Sequence, residues 1–177
     1  MSEPRSLYLK IKTNKDNLHR FFQDKPLTPE IDENWTAWWD SRKMHSKSPL
    51  TKVPVYAWIK TNRGLVDSYL SDPQTGTQER GRDGEEWELA IALFSQNYTE
   101  ILPMLAWLNS LAGYMEAGDE GVAIIYDYFW GSGSVMMHME FTGQQAAFLL
   151  TNKTSEIDQQ IMAEANNMLK NATSAIG

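Results

Sequence analysis

The chain has 177 residues, 42% hydrophobic and 22% charged, with no cysteine and a formal charge of −7. This length predicts one folded domain over residues 1–177, able to bury roughly 70% of its unfolded surface. Lack of cysteine excludes disulfides, thiol nucleophiles and thiolate metal sites. The longest apolar stretch, near 101–111, is interrupted by Pro103 and Asn109 and falls short of the ~20 residues of a membrane helix.

In chain order, Glu3 precedes alternating leucine and lysine rather than an apolar leader core, so the expected compartment is the cytoplasm. Leu7, Leu9 and Ile11 alternate with Tyr8, Lys10 and Lys12, which predicts a half-buried strand. Leu18, Phe21 and Phe22 predict a short helix behind a cap at Thr13 or Asn14. Trp35, Trp38 and Trp39 recur at helical spacing behind Asp32 or Asn34, and three indoles on one face read as core. Residues 53–60 and 65–70 flank Thr61-Asn62-Arg63-Gly64 and read as a hairpin, with helix as the alternative for the second segment; Pro54 places the pair at a sheet edge.

Residues 71–84 contain three glycines, Pro73 and no other apolar residue, and read as a long exposed loop. Residues 87–94 alternate as a strand. A helix capped by Asn97 or Thr99 is expected to reach about Met115, with Pro103 tolerated near its first turn. The acidic stretch 116–120 ends it. Residues 122–141 read as a hairpin turning at Gly131-Ser132-Gly133-Ser134, and residues 156–170 as a final helix with Ser155 as cap. The fold class this implies is α+β, with a largely antiparallel sheet of about five to six strands packed against about four helices.

A symmetric turn in the 122–141 hairpin would pair Trp130 with Val135, Tyr128 with Met137, Tyr126 with Met139 and Ile124 with Phe141. Asp127 would then oppose His138, with Glu140 on the same face. Opposed side chains have Cβ atoms ~4.5–5.5 Å apart, so these three residues are the candidate acid–base group of an enzyme, with 71–84 as its lid. The plainer alternative is a cross-strand ion pair. His19 and His45 show no comparable pairing.

Walker A, dinucleotide-glycine, HExxH and nucleophile-elbow patterns are absent. Gly131-Ser132-Gly133 joins strand to strand and opens no helix, so it reads as a turn and not a phosphate cradle. The carboxylates of 83–88 and of 116–120 could each hold a hard cation through oxygen ligands, but neither cluster matches the EF-hand loop; both read as solvated charge, and no metal or cofactor is expected. Asn-x-Thr occurs at Asn34, Asn97, Asn152 and Asn171 but reads as coincidence without a secretory route.

Charge is the sharpest feature. Residues 1–82 hold fourteen lysines and arginines against ten acids, a formal +4; residues 83–177 hold two against thirteen, a formal −11, and the two halves give the −7 of the chain. Lys10, Lys12, Lys15, Arg20, Arg42, Lys43, Lys47 and Lys52 form only a modest basic excess, and the acidic half opposes nucleic acid and anionic membrane. The composition instead favours a non-catalytic acidic protein that binds a basic protein, in the manner of an immunity-type inhibitor covering a toxin or effector. Its predicted contact residues are Asp83, Glu85, Glu86, Trp87, Glu88, Tyr114, Glu116, Asp119 and Glu120, with aromatic anchors inside a charged rim. A structural or regulatory subunit that homodimerises through the apolar hairpin face is the remaining alternative.

Overall fold

The N-terminal alternation forms β1 (Arg5–Lys12), around which the other strands assemble. The structure, a computed structural model, describes residues 4–44, 47–174 and 176; His45 lies outside them. After β1 come α1 (Lys15–Gln23), α2 (Glu33–Ser41), α3 (Asn62–Ser71), β2 (Thr77–Arg80), β3 (Glu86–Ser95) and α4 (Tyr98–Leu111). The chain continues through β4 (Glu120–Tyr126), β5 (Val135–Thr142), β6 (Gln145–Leu149) and α5 (Gln159–Thr173), with 3-10 turns at Ala112–Tyr114 and Thr154–Glu156. The six strands form one antiparallel sheet in the order β2-β3-β1-β4-β5-β6, so the fold is α+β.

Period-two alternation divides the sheet into two faces. Leu7, Leu9, Ile11, Leu89, Ile91, Met137 and Met139 point toward α1 to α4 and form the larger core with their apolar stripes. Tyr8, Ala90, Ala92, Val122, Ile124 and Tyr126 point the other way, against Met162, Ala165, Met168 and Leu169 of α5. Polar contacts fix α5 there: Lys10 Nζ lies 2.7 Å from Glu164, and the Tyr126 hydroxyl donates to Asn166 Oδ1 at 2.6 Å.

Asn14, Asp32, Thr61, Asn97 and Asp158 cap α1 to α5 through side-chain oxygens that accept orphan amides. Four elements differ from expectation. Residues 53–60 form no strand, and α3 follows them because Thr61 caps a helix whose Leu65 and Val66 are buried. The expected loop 71–84 contains β2, which hydrogen-bonds to β3 as an edge strand, so it is not a lid. Pro103 sits in the second turn of α4, where it costs the helix an amide to the Thr99 carbonyl. The final helix starts after Asp158, because Ser155 is taken up in the preceding 3-10 turn.

The largest correction concerns β4 and β5. Ile124 opposes His138, Val122 opposes Glu140 and Ala123 opposes Met139, a slip of three residues from the symmetric hairpin. An odd slip exchanges the faces. Ile125, Met137, Met139 and Phe141 therefore enter the larger core under the helices, so the aromatic strand face considered for the homodimer alternative is not formed as the symmetric register would have it, while Phe129 and Trp130 of the connecting loop stay exposed. The turn becomes the loop 127–134, whose conformation is held by Asp127: its carboxylate accepts the amides of Trp130 at 2.9 Å and Ser132 at 3.2 Å.

Candidate functional site

β1 ends between β3 and β4, with Lys12 paired to Glu86 on one side and Glu120 on the other. Two strand spacings separate those backbones, roughly 10 Å. The connection before β3 carries Glu85, and the segment before β4 carries Glu116 and Asp119. Together they surround a depression of about 420 Å³ at this end of the sheet, lined by Glu85, Glu86, Glu116, Asp119 and Glu120 against one lysine, Lys12.

Backbone geometry holds the acids in place. Gly81 has φ +75° in the β2–β3 turn, and a Cβ there would stand 1.9 Å from the Glu86 carbonyl oxygen, so only glycine permits this approach. The Thr13 amide donates to the Glu85 carbonyl at 3.0 Å. The Thr13 hydroxyl donates to Asp119 Oδ2 at 2.6 Å, the same oxygen accepts the Glu116 amide at 2.8 Å, and Asn14 Nδ2 donates to Glu116 at 3.3 Å. Thr13 and Asn14 thus join the site, although by sequence they read only as helix caps.

Compensation by lysine is partial. Glu86 meets Lys10 at 3.1 Å and Glu120 meets Lys12 at 3.6 Å. Glu85, Glu116 and Asp119 have no cationic partner within 4.0 Å among the described residues. Burial disfavours the charged Lys10 amine, but Glu164 and Glu86 outweigh it and hold its pKa above the usual lysine value.

Four of the nine expected contact residues lie elsewhere. Trp87 is 1% exposed; its ring packs on Phe22 and Trp107 and its Nε1 donates to Glu79 at 2.8 Å, so it is core and no anchor. Glu88 faces α5, accepting the Tyr8 hydroxyl at 2.6 Å with Arg80 at 4.0 Å. Tyr114 donates to Asp24 and packs on Phe21; burial first, then that carboxylate, push its pKa up to about 12. Asp83 is exposed beside His19 at 3.7 Å.

The acid–base pair read from the sequence does not form. Asp127 is spent on the 127–134 loop: burial alone would raise its pKa, but the Ser132 hydroxyl, the Trp130 and Ser132 amides and nearby Arg5 outweigh this and hold it below the usual carboxylate value. His138 is 5% exposed, with Nδ1 at 2.8 Å from Thr151 Oγ1. Its pKa is lowered by burial against an opposing pull from Glu140. The unfolded chain therefore binds a proton at higher pH than the fold, so His138 favours folding above the ordinary histidine pKa of ~6.5 and that contribution is lost as pH falls through the lower folded value. Urea unfolding between pH 7 and 5 should show stability decreasing with acidification, and His138→Gln should flatten that slope; equal slopes would show that His138 titrates alike in both states.

Lys10 and Lys12 are paired with acids, Arg42 is buried, and Lys47 Nζ donates to the carbonyls of Trp39, Asp40 and Arg42 at the end of α2. Among the described residues, no group of three or more His, Asp or Glu is placed to hold a metal ion, and no helix is long and apolar enough to cross a membrane. Comparison with protein-family models, curated proteins and solved structures finds no match.

Proposed function

We propose that this protein binds a basic protein through the acid-lined end of its sheet, and that its role is to occlude that partner, as an immunity-type inhibitor covers a cationic toxin or effector. One observation carries the reading. Two acidic segments that lie about thirty residues apart in the chain converge on a single depression, where three of five carboxylates have no cation within 4.0 Å among the described residues. Such a concentration of like charge raises the approach rate of a cationic surface and fixes its orientation, and it repels nucleic acid.

The test is kinetic. A partner captured from the native host would be measured against the wild type and the double variant Glu85→Lys/Glu116→Lys by surface plasmon resonance at 20 mM and 500 mM salt. Association at low salt should slow by about tenfold or more, and the difference should shrink at high salt, where charges are screened beyond ~4 Å. An on-rate unchanged at low salt would remove the steering role. His138→Gln is expected to leave the binding rate intact, since His138 lies outside the depression.

A further inference from the structure

The sheet ends at β6, and its outer side is only half closed. Asn34 of α2 accepts the Phe148 amide on Oδ1 at 2.7 Å and donates Nδ2 to the Phe148 carbonyl at 3.0 Å. A side-chain amide thus takes the place of a neighbouring strand at that residue. This contact shows that the main-chain groups of Phe148 point away from β5, and period-two alternation places the amide and carbonyl of Ala146 on the same outer side. Neither has a hydrogen-bond partner among the described residues.

Beside Ala146 runs a groove of about 710 Å³, between the β6 edge and the 27–34 segment, lined also by Asn34 and Gly113. Its wall carries Glu30 and Asp32 and no lysine, arginine or histidine. One contact links the β5–β6 turn beside this groove to the acidic segment: the Gly143 amide donates to the Asp119 carbonyl at 2.8 Å.

We infer that the partner contributes an extended basic segment to this groove as an added strand, pairing its backbone with Ala146. Open amide and carbonyl groups on a sheet edge recognise an extended backbone by geometry, and flanking side chains select its residues. The acids of the wall select lysine or arginine, and Ala146, Ala147 and Gly113 leave room for the incoming chain. Asn34 sets the limit, because Phe148 is already satisfied, so pairing stops there. Pairing confined to Ala146 engages the main chain of one residue of the incoming segment, with its neighbours extended on either side. The basic character of the partner rests on the function proposed above; the pairing mode rests on the edge itself.

The probe is a fluorescein-labelled Lys-Val-Lys-Val-Lys peptide, titrated by anisotropy against the full-length chain at low salt, beside two analogues N-methylated at residue 2 or at residue 3. Strand pairing uses alternate amides, so one analogue should bind at least tenfold more weakly than the parent and the other within about twofold. Ala146→Pro should reproduce the tenfold loss with an unchanged thermal melt, since proline is tolerated at an edge position whose amide faces outward. No binding of the parent peptide, or equal affinity of all three peptides, overturns the inference. If Glu85→Lys/Glu116→Lys slows the captured partner while the peptide ignores N-methylation and Ala146→Pro, the acid-lined site stands and strand addition falls. The converse result removes the acid-lined site alone.

Discussion

Trp38→Ala is expected to destabilise the fold by roughly 3–5 kcal/mol, the range of large-to-small changes at buried aromatic sites. Trp38 is 0% exposed. Its ring stacks on Phe148 of β6 with centroids 4.9 Å apart and planes at 17°, and lies 6.0 Å from Trp39 and 6.2 Å from Tyr98. Its Nε1 also donates to the Met136 carbonyl at 3.3 Å. Alanine would empty this space, leave that carbonyl without its donor, and loosen α2 from β5 and β6 together. Against an ordinary total of 5–15 kcal/mol, such a loss approaches the whole stability. Trp38→Phe keeps a ring for the stack and forfeits the hydrogen bond, so it should cost about 1 kcal/mol. Urea midpoints of the three proteins decide: a shift under about 1 kcal/mol for Trp38→Ala would mean that α2 is not docked through this stack.

The same contact shows where sequence reading succeeded and where it stopped. The tryptophan spacing identifies α2 and its buried face because helical periodicity is local, and the strands β1 and β3 are visible for the same reason. β6 has no such signal. Its residues Gln145, Ala146, Ala147, Phe148 and Leu149 alternate weakly, and Phe148 gains its meaning only from Trp35 and Trp38, more than a hundred positions earlier. β2 is hidden likewise: Thr77–Arg80 is polar on both faces, and its pairing with β3 supplies what its own composition lacks.

Pairing register is equally non-local. Glycines and serines at 131–134 mark a turn, but the Asp127 carboxylate determines its size by holding the amides of Trp130 and Ser132. That lengthened the loop and moved His138 from Asp127 to Thr151. For the candidate site, Glu85, Glu86, Glu116, Asp119 and Glu120 were legible as acidic runs, because charge is read directly from residue type. Their convergence was not, since it depends on β1 lying between β3 and β4. Trp87 failed as an anchor for a simple reason: strand alternation sends it inward with Leu89 and Ile91.

Arg42→Met is expected to cost about 3–4 kcal/mol, the sum expected for lost hydrogen bonds to a charged donor when they are only partly additive. Arg42 is 4% exposed at the end of α2. No carboxylate lies within 4 Å of it among the described residues; its guanidinium is met by neutral oxygens instead. Nη1 donates to the carbonyls of Val135 at 3.0 Å and Thr151 at 2.9 Å, Nη2 donates to Asn152 Oδ1 at 3.0 Å, and Nε donates to Ser41 Oγ at 3.0 Å. One side chain thereby ties the start of β5, the segment after β6 and the helix end into a single unit. Methionine matches the apolar stem and withdraws every donor, stranding the two carbonyls. Arg42→Lys keeps the charge but offers a single amine in place of a planar fork, so it should recover only part of the loss. Tyr98 supplies a local readout: burial raises its pKa, and the Arg42 charge and hydrogen bond lower it, so Arg42→Met should move the Tyr98 titration further upward. Amide hydrogen exchange should accelerate at residues 135–137 and 149–152 while β1 and β3 stay protected. Uniform acceleration across all strands would show that Arg42 supports global stability alone and does not fasten this corner.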